Sequence, residues 1–309
     1  MAFDIVAIGE PLYELNRQPD GRFLQGFGGD TSNVAIAASR LGARTAYVTR
    51  LGRDMFGDAL LELWAKEGVD ASAVARDEDA PTGIYFVTHG AGGHQFTYLR
   101  KGSAASRLTA RDVPEQLVAQ ARYLHVSGIS QAVSETAAAA VDHAIAIAAK
   151  AGTAISYDTN YRPKLWPADV ARAAVEHTAA HAAILKTSLE DAASLLQLRE
   201  PQAVARRFIG LGSKAVIATL GADGILVATA ARSAVIPGFR VDAVDATGAG
   251  DAFTGALLAE LVRGEELFAA CRFANAAAAL STLGYGAIAP LPRRADVVRF
   301  LAKYEEAKR

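Results

Sequence analysis

The sequence predicts an α/β fold in which helices cover both faces of a mostly parallel central sheet. Short apolar runs alternate along the chain with longer stretches of helical periodicity. Strands that alternate with helices form parallel sheets, because each helix carries the chain back across a sheet face. The chain has 309 residues, enough to bury a large core, and its single cysteine excludes an intramolecular disulfide.

The elements follow in order from the amino terminus. Residues 3–9 form a short apolar run that ends in glycine and predicts a buried strand, and 33–41 predicts a helix that stops at Gly42. Further strands are predicted at 45–51, 123–126, 154–158, 183–186, 215–220, 225–229 and 233–236, and further helices at 56–67, 135–149 and 167–180. The uncharged stretch 273–292 contains Gly284, Gly286 and Pro290, which predicts a buried helix followed by a loop.

Two segments interrupt this alternation. Residues 11–29 lack helical periodicity, and 83–88 and 95–99 predict two strands joined by a turn at Gly90, Gly92 and Gly93. We therefore predict one domain over 1–309, with lid segments at roughly 11–27 and 83–100 that form a small β-sheet. Exposed strands can pair between subunits, which predicts a homo-oligomer through the lid.

Composition and charge exclude several classes of protein. The 32 basic and 33 acidic residues give a net charge of -1, so neither a nucleic acid nor a membrane partner is expected. The first ten residues lack the basic segment of a secretory signal, and the single Cys271 suits a reducing compartment, so we expect a cytoplasmic protein. His177 and His181 are one helical turn apart, but no third metal ligand is evident.

The segment from Asp245 to Asp251, Asp-Ala-Thr-Gly-Ala-Gly-Asp, predicts a glycine-rich turn that opens a helix. Amides at a helix N-terminus face outward with the positive end of the dipole, and glycine lets an anion approach the backbone. The amides of Gly248, Ala249 and Gly250 are therefore the predicted anion hole. Asp251 would repel a phosphate unless it faces a substrate hydroxyl and accepts its proton. On the residues alone, Asp251 could instead only stabilise the helix N-terminus.

Two common nucleotide-binding motifs are absent from the sequence. No Gly-Lys-Ser or Gly-Lys-Thr occurs, which excludes a Walker A loop. Gly248 and Gly250 give the start of a dinucleotide fingerprint, but Phe253 occupies the place of the third glycine. A nicotinamide oxidoreductase is therefore disfavoured.

Three motifs in this order resemble those of the PfkB (ribokinase-like) carbohydrate kinases. They are Gly28-Gly29-Asp30-Thr-Ser-Asn33, Leu51-Gly-Arg-Asp54-Met-Phe-Gly57 and the segment 245–251. The resemblance covers nearly the whole chain and implies a ribokinase-like three-layer α/β/α fold with a small β-sheet lid. It implies an ATP-dependent and magnesium-dependent sugar kinase with Asp251 as catalytic base. It also implies that Gly28, Gly29 and Asn33 bind the sugar.

Within that family, the chain resembles the 2-keto-3-deoxygluconate kinases. The resemblance rests on the segments 9–12, 98–104, 124–129 and 158–166. It implies that Arg100 and Arg162 bind the sugar carboxylate, for which a planar guanidinium is well suited. It also implies that Tyr85 and Tyr98 line the sugar site and that Asp251 takes the proton from O6.

The family resemblance also implies an ATP site at the carboxyl-terminal edge of the sheet. The implied residues are Asn160, Arg162, Thr187, Thr219, Gly221, Asp223, Gly224, Gly248, Gly250 and Asn275. The N-x-x-E element of the family is matched by Thr187-Ser-Leu-Glu190, in which the asparagine is replaced. Glu190 is thus the magnesium candidate, acting through water. Many members also bind a monovalent cation such as K⁺, and the sequence leaves that requirement open.

The expected ligands are therefore a sugar acid and ATP. A fructokinase, a ribokinase or another sugar kinase of the family remains an alternative, and the preference for an anionic or a neutral sugar distinguishes them. An alternative of a different class is a catalytically silent regulator that binds sugar or nucleotide on the same scaffold. Absence of ATP-dependent phosphorylation would favour that alternative.

Overall fold

The computed structural model describes residues 2–90 and 93–306, so Gly92 of the predicted turn lies outside the described residues. The strands are β1 (Ile5–Ile8), β2 (Leu12–Arg17), β3 (Phe23–Gly28), β4 (Thr45–Gly52), β5 (Val69–Asp70), β6 (Val74–Asp77), β7 (Ile84–Gly90), β8 (Gly93–Leu99), β9 (Tyr123–Ser127), β10 (Ala154–Asp158), β11 (Ala182–Ser188), β12 (Ala215–Thr219), β13 (Gly224–Thr229) and β14 (Ser233–Pro237). The helices are α1 (Asp30–Arg40), α2 (Met55–Glu67), α3 (Glu115–Ala119), α4 (Gly128–Ala132), α5 (Glu135–Ala151), α6 (Ala168–Ala179), α7 (Leu189–Leu196), α8 (Pro201–Leu211), α9 (Ala249–Val262), α10 (Leu267–Ser281) and α11 (Arg294–Glu306).

The larger sheet has the strand order β14-β13-β12-β11-β10-β9-β1-β4-β5, and β6 also pairs with β4. Its strand pairs are parallel except β12 with β13 and β13 with β14. This confirms the predicted α/β fold with a mostly parallel sheet. The sequence does not predict β5 and β6, which are too short to show a period.

The central strands are apolar on both sides because helices cover both faces of the sheet. In β1, Val6 and Ile8 pack into the same core cluster as Val141 of α5. Ile5 packs on the opposite side, in the cluster that contains Phe253 of α9. This alternation follows from the two-residue period of a strand. In a parallel sheet all carboxyl ends meet at one edge, and the candidate site forms there.

A separate four-stranded sheet has the order β3-β2-β7-β8. Strands β2 and β7 are parallel, whereas β3 and β8 each pair antiparallel with a neighbour. This confirms the predicted small sheet, which we call the lid. The lid carries large exposed apolar side chains, namely Phe23, Leu24, Phe96, Tyr98 and Leu99.

The stretch 273–292 forms the end of α10 followed by turns, as predicted. Within the described residues, no helix combines the length and apolar character that a bilayer crossing requires.

Candidate active site

Asp251 lies in the first turn of α9, at the end of the glycine-rich turn. Gly248 precedes the helix with a φ of 75°, and a Cβ at this position would lie 2.9 Å from the Cβ of Ala287, so a side chain would be both strained and crowded. The Oδ2 of Asp251 accepts a hydrogen bond of 2.8 Å from Nδ2 of Asn33 in α1. The predicted base and a predicted sugar residue are therefore joined directly.

The environment of Asp251 favours its protonated form. Its side chain is only 9% exposed, and this burial raises its pKa to about 7, with the negative charge of Asp30 acting in the same direction. The hydrogen bond from Asn33 and the charge of Lys186 oppose the rise. A carboxylate with a pKa near neutrality is suited to accept a proton from a hydroxyl group.

Lys186, which the sequence analysis did not single out, lies beside the glycine-rich turn. Its Nζ is 2.7 Å from Oδ2 of Asp158 at the end of the neighbouring strand β10 and 3.2 Å from the place of a Cβ on Gly250. Burial alone would lower the pKa of Lys186, but the charges of Asp158 and Asp251 raise it overall, so the ammonium stays protonated. The sequence signal that could have identified Lys186 is a lysine within the apolar run 182–188, where a charged side chain is unusual.

The amides of the turn are not equivalent. The N–H of Ala249 donates to the carbonyl oxygen of Ala246 at 3.2 Å, so one of the three amides of the predicted anion hole is already engaged. The N–H groups of Gly248 and Gly250 donate to no other atom in the described part of the chain. Asp245 holds the turn by accepting hydrogen bonds of 2.9 Å from the amides of Thr247 and Gly286. Two amides thus remain available for an anion.

The predicted sugar residues of the lid and of the glycine pair lie together. A Cβ on Gly28 would lie 2.5 Å from Oη of Tyr85, and the ring of Tyr85 stacks on Tyr98 with 5.6 Å between centroids. Gly29 has a φ of 105°, and a Cβ there would lie 2.3 Å from the carbonyl oxygen of Glu10. The hydroxyl of Tyr85 donates to the buried carboxylate of Glu14.

The positive charges of both predicted arginines influence the pKa of Tyr98. The guanidinium carbon of Arg100 lies 5.5 Å from the centroid of the Tyr98 ring, and its nitrogen pairs with the buried carboxylate of Glu10. Arg162 is exposed and donates from Nη1 to the carbonyl oxygen of Tyr161 at 3.0 Å. Burial raises the pKa of Tyr98, and the positive charges of Arg100 and Arg162 oppose the rise. Both charges are therefore near one side of the lid.

The side chains of Asn160 and Thr187, both predicted to bind ATP, form hydrogen bonds within the protein. The Nδ2 of Asn160 donates to Oδ2 of Asp30 at 2.8 Å, which ties it to the glycine-pair segment. The hydroxyl of Thr187 is fully buried and lies 2.9 Å from the hydroxyl of Thr159, within hydrogen-bond distance. The structure therefore places the Thr187 side chain inside the protein.

The other predicted nucleotide residues lie around β12 and β13. Thr219 ends β12 opposite Ser188 of β11, at the same sheet edge as Lys186. Gly221 and Asp223 form the turn that follows, which ends at Gly224 with a φ of 108°. The side chain of Asn275 donates to the carbonyl oxygen of Pro237 at 2.9 Å, so it braces the end of β14.

The first turn of α7 holds two carboxylates with different surroundings. Glu190, the predicted magnesium residue, is exposed. Its neighbour Asp191 accepts hydrogen bonds of 2.7 Å from the Thr159 hydroxyl and 3.0 Å from the Tyr161 amide, and burial raises its pKa. Among the described residues, no cluster of three or more His, Cys, Asp or Glu side chains could hold a metal ion. Magnesium often takes one protein carboxylate besides water and phosphate oxygens, which an exposed Glu190 fits.

Comparison with known proteins identifies the family. Residues 2–294 match the pfkB family carbohydrate kinases. The chain is 36% identical to a 2-dehydro-3-deoxygluconokinase from Thermoproteus tenax, over 94% of this chain and 93% of that protein. It is also 36% identical to fructokinase-1 from Zea mays, over 91% of this chain and 90% of that protein.

The fold is similar to solved structures of the same kind. The crystal structure of a fructokinase from Vibrio cholerae O395 with bound fructose, ADP and calcium ion superimposes with a TM-score of 0.87 at 30% identity, covering 97% of this chain and 99% of that one. The α/β fold with its small separate sheet is therefore the ribokinase-like fold. The chain belongs to the pfkB family of carbohydrate kinases.

Proposed function

We propose that the protein transfers the γ-phosphoryl group of ATP to O6 of 2-keto-3-deoxygluconate. The observation that carries this proposal is the buried Asp251, held by Asn33 beside the available amides of Gly248 and Gly250. A proton acceptor and an anion site on adjacent residues are what phosphoryl transfer to an alcohol requires.

In the proposed reaction, Asp251 accepts the proton of the sugar hydroxyl as its oxygen attacks the γ-phosphorus in line. A new P–O bond forms, the bond from the γ-phosphorus to the leaving oxygen breaks, and ADP departs. The amides of Gly248 and Gly250 stabilise the charge on the transferring group. The Lys186 ammonium, close to Gly250, adds positive charge to the same turn.

The nucleotide is proposed to lie along the β12–β13 edge, over the turn that contains Gly221, Asp223 and Gly224, with its phosphates at the glycine-rich turn. Glu190 would hold magnesium through water. When bound, the ion neutralises part of the charge on the phosphoryl oxygens. The bound ADP and calcium ion of the Vibrio cholerae relative support the use of a nucleotide with a divalent cation.

The preference for a sugar acid is proposed from the two arginines. The kinases of a sugar acid and of fructose are equally similar to this chain, so identity does not distinguish the substrates. The positive charges of Arg100 and Arg162 near Tyr98 support an acid, because two guanidinium groups beside a sugar site favour a carboxylate. A fructokinase remains the second candidate.

The lid is also the proposed contact of a homo-oligomer. Leu24 and Leu99 are about three-fifths exposed, at 60% and 59%, although both are apolar. Apolar side chains exposed on the strands of a small sheet can be buried against the lid of a second copy of the chain.

A coupled ADP-release assay with magnesium and ATP tests the substrate. We expect strong turnover with 2-keto-3-deoxygluconate and little with fructose or ribose. Arg162→Ala and Arg100→Ala should each raise KM for the acid about tenfold or more, since a hydrogen bond to a charged group contributes about 1.5–3 kcal/mol. Their kcat/KM for fructose should fall less than their kcat/KM for the acid. Preferential turnover of a neutral sugar would contradict the acid assignment, and ATP binding without turnover of any sugar would favour a silent regulator.

The pH dependence of catalysis provides a separate test of Asp251. Because its carboxyl group has a pKa of about 7 and must lose its proton to act as a base, kcat/KM should rise with pH and reach half its plateau near pH 7. An aspartate with an ordinary pKa would give a flat profile above about pH 5. Steady-state rates between pH 5 and 9 check this, and a flat profile would contradict the assignment.

A further inference from the structure

A buried ion pair joins the two ends of the lid. Glu10 lies between β1 and β2, where the chain first enters the lid, and Arg100 follows β8, where the chain leaves it. The Arg100 guanidinium contacts Oε2 of Glu10, and the two side chains are only 14% and 2% exposed. The hydroxyl of Ser103 lies 3.5 Å from the other carboxylate oxygen. Glu10 is therefore held beneath the proposed sugar site and shielded from water.

The Glu10 side chain is placed so that it can orient Arg100 without occupying the whole guanidinium. Arginine has five N–H donors in a planar fork, and a carboxylate on one edge leaves donors free on another. The Glu10 carbonyl oxygen also borders Gly29, so the backbone of Glu10 lies next to the proposed sugar site. Arg100 is thus anchored on the protein side of the site.

Charged groups of both signs lie around Tyr98. Arg100 and Arg162 bring two positive charges to this side of the lid, and the acidic groups that face Tyr98 are Glu10 and Glu14. Without Glu10, the Arg100 guanidinium would lose the buried carboxylate that holds it in place.

We propose that Glu10 is a positioning residue, which fixes the Arg100 guanidinium for the substrate carboxylate and thereby sets the preference for acid over neutral sugars. This inference rests on the proposed function. Glu10 itself does not contact the substrate in this account. Its effect appears in the binding of the acid and not in the transfer of the phosphoryl group.

Glu10→Gln removes the charge and keeps the size of the side chain. We expect KM for 2-keto-3-deoxygluconate to rise about tenfold, which corresponds to about 1.4 kcal/mol of binding free energy. The kcat for the acid and the kcat/KM for fructose should stay within twofold of the wild-type values. Glu10→Asp keeps the charge but withdraws it by one methylene, and should give a smaller rise in KM.

The matched control is Glu67→Gln. Glu67 pairs with Arg40 at 2.8 Å, and its side chain is also nearly buried, but the pair joins α1 to the end of α2 away from the lid. This variant should leave the ratio of acid to neutral activity unchanged.

Each outcome decides the inference. An equal loss for acid and fructose, or a lower KM for the acid, in folded Glu10→Gln would overturn it, since a purely structural pair or a competing carboxylate would give those results. If Glu10→Gln does not fold, an unchanged acid KM in Glu10→Asp would overturn it. A wild-type enzyme that prefers neutral sugars would overturn the proposed function and this inference together, whereas an acid-preferring wild type with an unchanged ratio in the variants would overturn only the inference.

Discussion

Asp251→Asn is expected to lower kcat at least about 100-fold, the usual contribution of a positioned general base. The amide has the same shape as the carboxylate and can still hydrogen-bond Asn33 across the 2.8 Å contact, but it cannot accept the proton of the sugar hydroxyl. The KM for ATP should change little, because Asp251 faces the acceptor in the proposed reaction. Single-turnover and steady-state rates with 2-keto-3-deoxygluconate measure the loss.

A second aspartate controls for the charge at a helix N-terminus. Asp169 lies in the first turn of α6 and is exposed, so Asp169→Asn removes the same kind of helix-terminal charge away from the site. This variant should retain full kcat. Near-normal turnover of a folded Asp251→Asn protein would remove the base assignment and leave Asp251 as a residue that stabilises α9.

The sequence predicted those parts of the fold in which a single segment shows an apolar run, a helical period or a terminating glycine. Strand β10 was predicted at 154–158 and has those bounds, because a short apolar run between helices is typical of a buried strand. Helix α5 was predicted at 135–149 and extends two residues further, to Ala151, after which the left-handed Gly152 ends it. The predicted small sheet is present too, although its first segment was recognised only by the absence of helical periodicity.

The site was predicted less completely, because its contacts are distant in sequence. Asn33 and Asp251 are 218 residues apart and were placed together only through the family resemblance. The partners Lys186 and Asp158, and Glu10 and Arg100, were not paired by any sequence argument. An ion pair between elements depends on strand order, register and side-chain direction, and none of these is encoded in the spacing of the two residues along the chain. The engaged amide of Ala249 likewise depends on the shape of the turn.

Lys186→Met is expected to destabilise the protein by about 3–5 kcal/mol, the range found when one partner of a buried ion pair is removed. The Lys186 and Asp158 side chains are 10% and 6% exposed, so the variant leaves the Asp158 carboxylate buried without its cation. The double variant Lys186→Met/Asp158→Leu should recover most of the loss, because apolar groups of similar size can replace a buried pair with little change in stability. Urea unfolding measures the free energy of unfolding of both variants.

Arg207→Met is the surface control. The side chains of Arg207 and its partner Glu176 are 48% and 29% exposed, so this ion pair should contribute less than about 1 kcal/mol to stability.

The same variants should also change the pH profile of catalysis. The Lys186 charge opposes the rise in the pKa of Asp251, whereas the Asp158 charge adds to it. Lys186→Met should therefore raise the pKa of Asp251 and move the midpoint of kcat/KM to higher pH, so that activity at pH 7 falls. Removal of Asp158 as well should return the midpoint toward the wild-type value. An unchanged midpoint in a folded single variant would mean that Lys186 serves the stability of the sheet edge and does not tune the base.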